Sequence, residues 1–149
     1  MRHPPPIRIN RRKIYQRGND GEHSEIIIGG DTAGIEWRLP VFRFKGSDAK
    51  APSVYIQAAL HANELPGTAL AHFLLETLRK AEADGAILGD IIVIPQANPI
   101  GLAQSHFGEM QGRFELGSRT NFNRDFPLVA LASARRCWKI STAAAPPTG

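Results

Sequence analysis

Between positions 54 and 94 the chain writes an apolar strand, an amphipathic helix and a second apolar strand, and that order constrains the fold more than any other feature. Val54, Tyr55, Ile56, Gln57, Ala58, Ala59 and Leu60 form a near-continuous apolar run, the pattern of a strand covered on both faces. The run stops at His61. Pro66 suits the first turn of a helix, where a missing N–H costs nothing. Leu70, Phe73, Leu74, Leu78 and Ala81 then recur at helical spacing, with Glu76, Arg79, Lys80 and Glu82 mostly on the other face. Asp84-Gly85 is a stop signal, and Ile91, Ile92, Val93 and Ile94 make a second buried strand running into Pro95. Strand, helix and strand in this order predict a parallel pair joined by a right-handed crossover.

Upstream, Glu25 to Ile28 is a short apolar run closed by Gly29-Gly30. From Ile35, alternation of Ile35, Trp37, Leu39 and Val41 against Glu36, Arg38 and Pro40 has period two. This predicts a half-buried strand, placed on an edge because Pro40 cannot donate to a ladder. Phe42 and Phe44 take the opposite parity, which predicts a bulge or slip near Val41. The chain shows no internal repeats. The fold class expected is α/β: the N-terminal part of a mainly parallel mixed sheet with helices on both faces.

At 149 residues the chain is long enough for one domain with a core. Its net charge of +4 resides largely in Arg8, Arg11, Arg12, Lys13 and Arg17 and in Arg135, Arg136 and Lys139. Those clusters lie near the two ends and do not interleave aromatics as single-strand binders do. They read as solvated arms, and a nucleic-acid partner ranks last. No segment has the ~18 uninterrupted apolar residues of a membrane span, and the basic start has no apolar stretch behind it. The lone cysteine, Cys137, leaves no internal disulfide and suits a reducing, cytoplasmic setting.

In open α/β sheets, sites form just beyond the carboxyl ends of parallel strands. The first strand here ends in His61-Ala62-Asn63-Glu64 and the second in Gln96-Ala97-Asn98-Pro99. A histidine and a carboxylate three residues apart can point the same way from one turn, and that donor set suits zinc (Zn2+). On spacing alone such a pair is common; its place at the end of a buried strand gives it weight. A third segment, residues 112–127, is too polar for a core yet carries Phe114, Leu116, Phe122 and Phe126 as anchors. Within it, Asn123 and Arg124 offer an amide and a planar fork that can grip a carboxylate. In isolation the same dipeptide is more often a surface cap and ion pair.

These pieces, in this order, resemble the succinylglutamate desuccinylase/aspartoacylase family, a branch of the zinc carboxypeptidase-like enzymes. The residues that carry the resemblance are His61-Ala62-Asn63-Glu64-Leu65-Pro66-Gly67, then Asn98-Pro99-Ile100-Gly101, then Asn121-Phe122-Asn123-Arg124-Asp125-Phe126-Pro127. The resemblance implies His61 and Glu64 as zinc ligands, and Asn123 and Arg124 as binders of the free carboxylate of a small N-acyl amino-acid-like substrate. It also implies Arg113 as the group that stabilises the oxyanion, with Arg119 as a rival. His72 reads as structural, His106 as a loop histidine that could reach substrate, and His3 and His23 carry no signal.

The family pattern also implies a third zinc ligand, a histidine on a later strand, and a glutamate base beyond it. After Pro127 this chain has no histidine and no glutamate. With the loss of pattern after Val129, that predicts a truncated or frame-shifted reading of a longer gene. The division expected is a polar basic arm over 1–24, a partial zinc-peptidase-like catalytic domain over 25–129 and an irregular tail over 130–149. The function implied is zinc-dependent hydrolysis of an amide or ester in a small carboxylated acyl substrate. The alternative is a catalytically dead remnant that binds carboxylated ligands or a protein partner. Either way, the shortened sheet is expected to be unstable or inactive alone, unless a second chain or another copy completes it.

Overall fold

The structure is a computed structural model that describes residues 9–10, 16–17, 22–29 and 34–124. Its main sheet is mixed. The strands are β1 (Ile9–Asn10), β2 (Gln16–Arg17), β3 (Glu22–Gly29), β4 (Glu36–Phe44), β5 (Val54–Gln57) and β6 (Ile91–Ile94). Their order is β1-β3-β4-β6-β5, with β2 also on β3. Helix α1 (Leu65–Ala83) connects β5 to β6, and the short helix α2 (Pro99–Leu102) follows β6. A hairpin of β7 (Ser105–His106) and β8 (Glu109–Met110) precedes the last described stretch. The mixed α/β architecture expected from the sequence is the one found. Within the described residues its parallel pair is β5–β6, and the remaining pairings are antiparallel.

The expected arm over 1–24 enters the sheet where it is described: Ile9 pairs with Ile28, and Gln16 with His23. The expected tail over 130–149 lies outside the described residues. No helix of the described residues is long and apolar enough to cross a membrane.

Two local expectations are corrected. The β3–β4 register runs unbroken from Glu22↔Arg43 to Gly29↔Glu36, so there is no bulge near Val41. The parity change instead marks a change of covered face. Phe42 and Phe44 pair with Val93 and Ile91 on the side that packs against α1, and the preceding apolar residues of β4 occupy the opposite side. β4 is flanked by β3 and β6, yet β6 pairs only with residues 42–44, so Pro40 sits where β4 has β3 as its sole partner.

The second correction concerns cover. The core is Phe44, Ala71, Leu75, Leu78, Ile87 and Val93, with Ile56, Leu74 and Ile91 packed on it. It lies between α1 and one face of β4, β6 and β5. Val54 and Tyr55 are exposed, so β5 is not covered on both faces, and Leu70 and Phe73 of the expected apolar stripe face outward at 71% and 67% exposure. The helix turned its Ala71–Leu75–Leu78 stripe inward instead.

Candidate metal and carboxylate site

The site begins where β5 ends. Ala58 N–H donates to Ile94 O at 3.0 Å, and Ala97 N–H donates to Ala58 O at 2.9 Å, so the two parallel strands stay tied past their ends. Ala59 then takes a left-handed φ of 58°, an uncommon conformation for a residue with a Cβ, and the chain turns out of the strand into His61. Asn98 fixes that turn. It caps α2, accepting from Gly101 N–H at 2.8 Å, and its Nδ2 donates to Leu60 O at 2.8 Å. Ala62, fully buried, donates its N–H to Gly112 O at 2.8 Å. A Cβ on Gly112 would stand 2.5 Å from Asn63 N, so only glycine allows the segment around residue 112 to lie this close.

His61 is 3% exposed, and both of its ring nitrogens are engaged. Nε2 lies 2.7 Å from Asn121 Oδ1, and that same oxygen accepts the Asn123 N–H at 2.9 Å. An atom that accepts from a backbone N–H must be an acceptor, so the proton of the His61 contact sits on Nε2. The other ring nitrogen, Nδ1, faces Glu64 Oε1, 3.0 Å away. A ring nitrogen and a carboxylate oxygen that close have a proton or a cation between them. Glu64 is the N-cap residue of α1, yet its carboxylate caps no helical N–H. It faces His61, and Arg113 Nη2 donates to the same Oε1 at 2.8 Å. The hydrogen bond from His61 is the strongest influence on the Glu64 carboxyl. With the charges of His61 and Arg113, it outweighs desolvation and holds that group below the usual carboxylate range.

This donor set fits zinc. A buried imidazole with its outer nitrogen locked by an oxygen acceptor, next to a carboxylate oxygen, is the ligand chemistry zinc takes. Among the described residues no group of three histidine, cysteine or acidic side chains gathers, so these two donors would need a third from elsewhere.

Of the two arginines weighed for the oxyanion, Arg113 is the one brought to Glu64. Arg119 sits in the following turn, with a left-handed φ of 59° and its N–H on Glu115 O at 2.8 Å. Asn123 shares with Asn63 and Glu64 the lining of a groove of about 750 Å3, whose apolar wall includes Ile56, Leu70 and Leu74. Arg124 is exposed, and its Nη1 folds back onto Asn123 O at 2.6 Å. His106 is exposed on β7, and His72 is exposed on α1, edge-on to Phe73. His23 stacks on Phe42 at 4.6 Å, and His3 lies outside the described residues.

Two residues were missed as site elements although both stand in the quoted motifs. Asn121 reaches His61 across 60 positions, which no local pattern reveals. Asn98 carried a usable signal, since an asparagine directly before a proline that opens a helix is a capping pattern.

A model of the succinylglutamate desuccinylase/aspartoacylase catalytic domain matches residues 50–144, and the chain belongs to this family of deacylase-type hydrolases. Among solved structures, it is similar to a succinylglutamate desuccinylase/aspartoacylase of Shewanella frigidimarina NCIMB 400, with 32% identity, a TM-score of 0.65 and 82% of this chain covered. A family protein of Shewanella amazonensis SB2B shares 34% identity over 82% of this chain, with a TM-score of 0.63. An aspartoacylase family protein of Mesorhizobium loti MAFF303099 shares 26% over 90%, with a TM-score of 0.51. This chain spans 31%, 32% and 40% of those three chains, respectively. No curated protein matches it. The family is generally zinc-dependent.

Proposed function

We propose that the chain carries part of the site of a zinc-dependent deacylase acting on an amide or ester of a small, carboxylate-bearing acyl substrate. The observation that supports this most is the convergence of His61 Nδ1 and Arg113 Nη2 on Glu64 Oε1, at 3.0 and 2.8 Å, with His61 Nε2 held by Asn121. His61 and Glu64 would hold the metal. When bound, zinc would supply Lewis-acid activation of water and of the acyl carbonyl.

The chain's own side chains do the rest. Asn121 keeps the Nε2 proton in place, so that Nδ1 stays free for a cation. Arg113 sets a fixed positive charge beside the two donors, where a carbonyl oxygen gathers negative charge as it is attacked. Asn123 offers its amide from the groove wall. Arg124, being exposed, swings off the Asn123 carbonyl at little cost to fork a substrate carboxylate. The third zinc ligand and the general base would come from outside the described residues, among which no third donor gathers. A cytoplasmic setting accords with the lone Cys137.

The test is zinc content and calorimetric zinc affinity of the dialysed full chain, against a His61→Ala, Glu64→Ala double variant. Zinc retained by the parent and lost in the variant is expected. A folded parent that takes up no zinc would overturn the reading, leaving a remnant that binds carboxylates without turnover.

A further inference from the structure

Arg113 is delivered by a strap of chain, residues 111–116, that touches the site from one side only. Its inner side is held by Ala62 N–H on Gly112 O at 2.8 Å and by Phe122 N–H on Arg113 O at 3.1 Å. Phe114 also bridges to Asn121, the residue that orients His61. The Arg113–Glu64 contact cannot fix this strap, because both partners are about half exposed and such ion pairs are weak.

Among the described residues, one side chain grips the outer side. Gln104 Nε2 donates to Gln111 O at 2.9 Å and to Phe114 O at 2.7 Å, while its Oε1 accepts the Leu116 N–H at 2.9 Å. Its backbone joins in, since Gln111 N–H donates to Gln104 O at 2.8 Å. These anchor points bracket Arg113 in sequence. Gln104 itself directly follows α2 and its C-cap Ala103, and α2 is pinned through Asn98 to the end of β5.

We propose that Gln104 is the positioning residue of this site, setting where Arg113 and the Asn121–Asn123 segment stand relative to His61 and Glu64. The chemistry demands a primary amide of this length. Two carbonyls and one N–H must be met by one group carrying two donors and an acceptor. A glutamate would set a carboxylate against two carbonyls, and a methionine would fill the space with no polar partner. The catalytic bearing of this role rests on the deacylase reading above; the positional claim does not.

The experiment is NMR on the full chain without metal, comparing Gln104→Glu, Gln104→Met and Arg113→Ala with the parent. In both Gln104 variants, amide exchange at Ala62 and Phe122 is expected to rise about tenfold, as the strap opens locally. The Arg113 guanidinium signals should also collapse to those of a free arginine. The Ala58 amide, which bonds Ile94 across the parallel strands, should keep its protection. Arg113→Ala is expected to leave Ala62 and Phe122 protected, since the strap does not depend on the ion pair. The reverse pattern, with exchange rising in Arg113→Ala and unchanged in Gln104→Met, would overturn the assignment. Unfolding of both Gln104 variants would also overturn it, making Gln104 a residue of the fold as a whole. Every arm is metal-free, so a failure to bind zinc leaves this result readable.

Discussion

β6 has two very different flanks. On one, β4 lays Phe42 and Phe44 against Val93 and Ile91, α1 closes over them, and Phe44 and Val93 have no exposed surface. On the other, β5 has no further strand beside it among the described residues, and α1 presents Leu70 and Phe73 to solvent next to the groove. The parallel register turns the N–H and C=O of Tyr55 and Gln57 away from β6, toward that open side. The candidate site hangs from the second flank, outside the main core cluster, with Ala62 and His61 buried beside Gly112 as its own small packed contact. Its order comes from hydrogen bonds of Asn98, Asn121 and Gln104, each spanning segments that the core does not touch. Most of the stability and most of the site geometry thus reside in different parts of the molecule, with the Gly112–Ala62 contact as the place where the two meet.

The sharpest way to break this contrast is a pair of matched deletions. Phe44→Ala removes a fully buried ring and should cost about 3–5 kcal/mol. Phe73→Ala removes the same ring from solvent and should stay within about 0.5 kcal/mol. Urea melts of both variants decide it. A large loss from Phe73→Ala would mean that the α1 outer face is covered in solution and the flanks are alike.

Next in size is a contrast between two glycines. Gly112→Ala drives a Cβ into the Ala62-Asn63 backbone, at 2.5 Å from Asn63 N. It should cost about 1–3 kcal/mol by overpacking and weaken zinc uptake with it. Gly67→Ala, in the first turns of α1, meets nothing nearer than Ala58 Cβ at 3.4 Å and should gain up to about 1 kcal/mol in helix propensity. Asn121→Ala tests the site alone: it should lower zinc affinity about 10–100-fold by freeing the His61 ring, with the urea midpoint little moved.

The sequence made the closed flank largely readable. Four consecutive apolar residues gave β6 its exact bounds, and the proline and helical spacing placed α1 within a residue. Which face of α1 would be covered was not readable, because Leu70, Phe73 and Leu74 share the apolar period with Ala71, Leu75 and Leu78. Periodicity reports a stripe and is silent on what lies against it. The approach of His61 to Glu64 was readable because they sit three positions apart at a strand end, whereas Arg113, which also reaches Glu64, entered only through the family resemblance. Asn121 and Gln104 were not readable, since their work is done on groups that only folding brings near. Gln104 in particular looks like any polar loop residue until its three backbone partners are in place.

The smallest expected effects concern two carboxylates, one on each side of the molecule. At Asp90 burial is the largest influence and raises the pKa, but the Gly46 N–H at 3.0 Å and the Lys45 ammonium together outweigh it, and the group lies below its ordinary value. At Glu115 the Ser118 side chain is the largest cause, followed by the N–H groups of Gly117 and Ser118, and the shift is also downward. A depressed folded pKa means stabilisation that is present above the unfolded value, near pH 4, and lost as pH falls through the folded one. Both groups therefore act in the same acid window, but on different structures. Asp90 ties the start of β6 to the end of β4, inside the cooperative core, so its protonation should appear in global unfolding. Asp90→Asn should flatten the acid limb of the stability curve while lowering the plateau near pH 7. Glu115 orders only the turn that carries Arg119, on the open side. Glu115→Gln should leave the global curve unchanged and speed amide exchange at Gly117 and Ser118 alone. If Glu115→Gln moved the acid midpoint as far as Asp90→Asn, the strap side would be part of the cooperative core, and the separation of stability from site geometry would not hold.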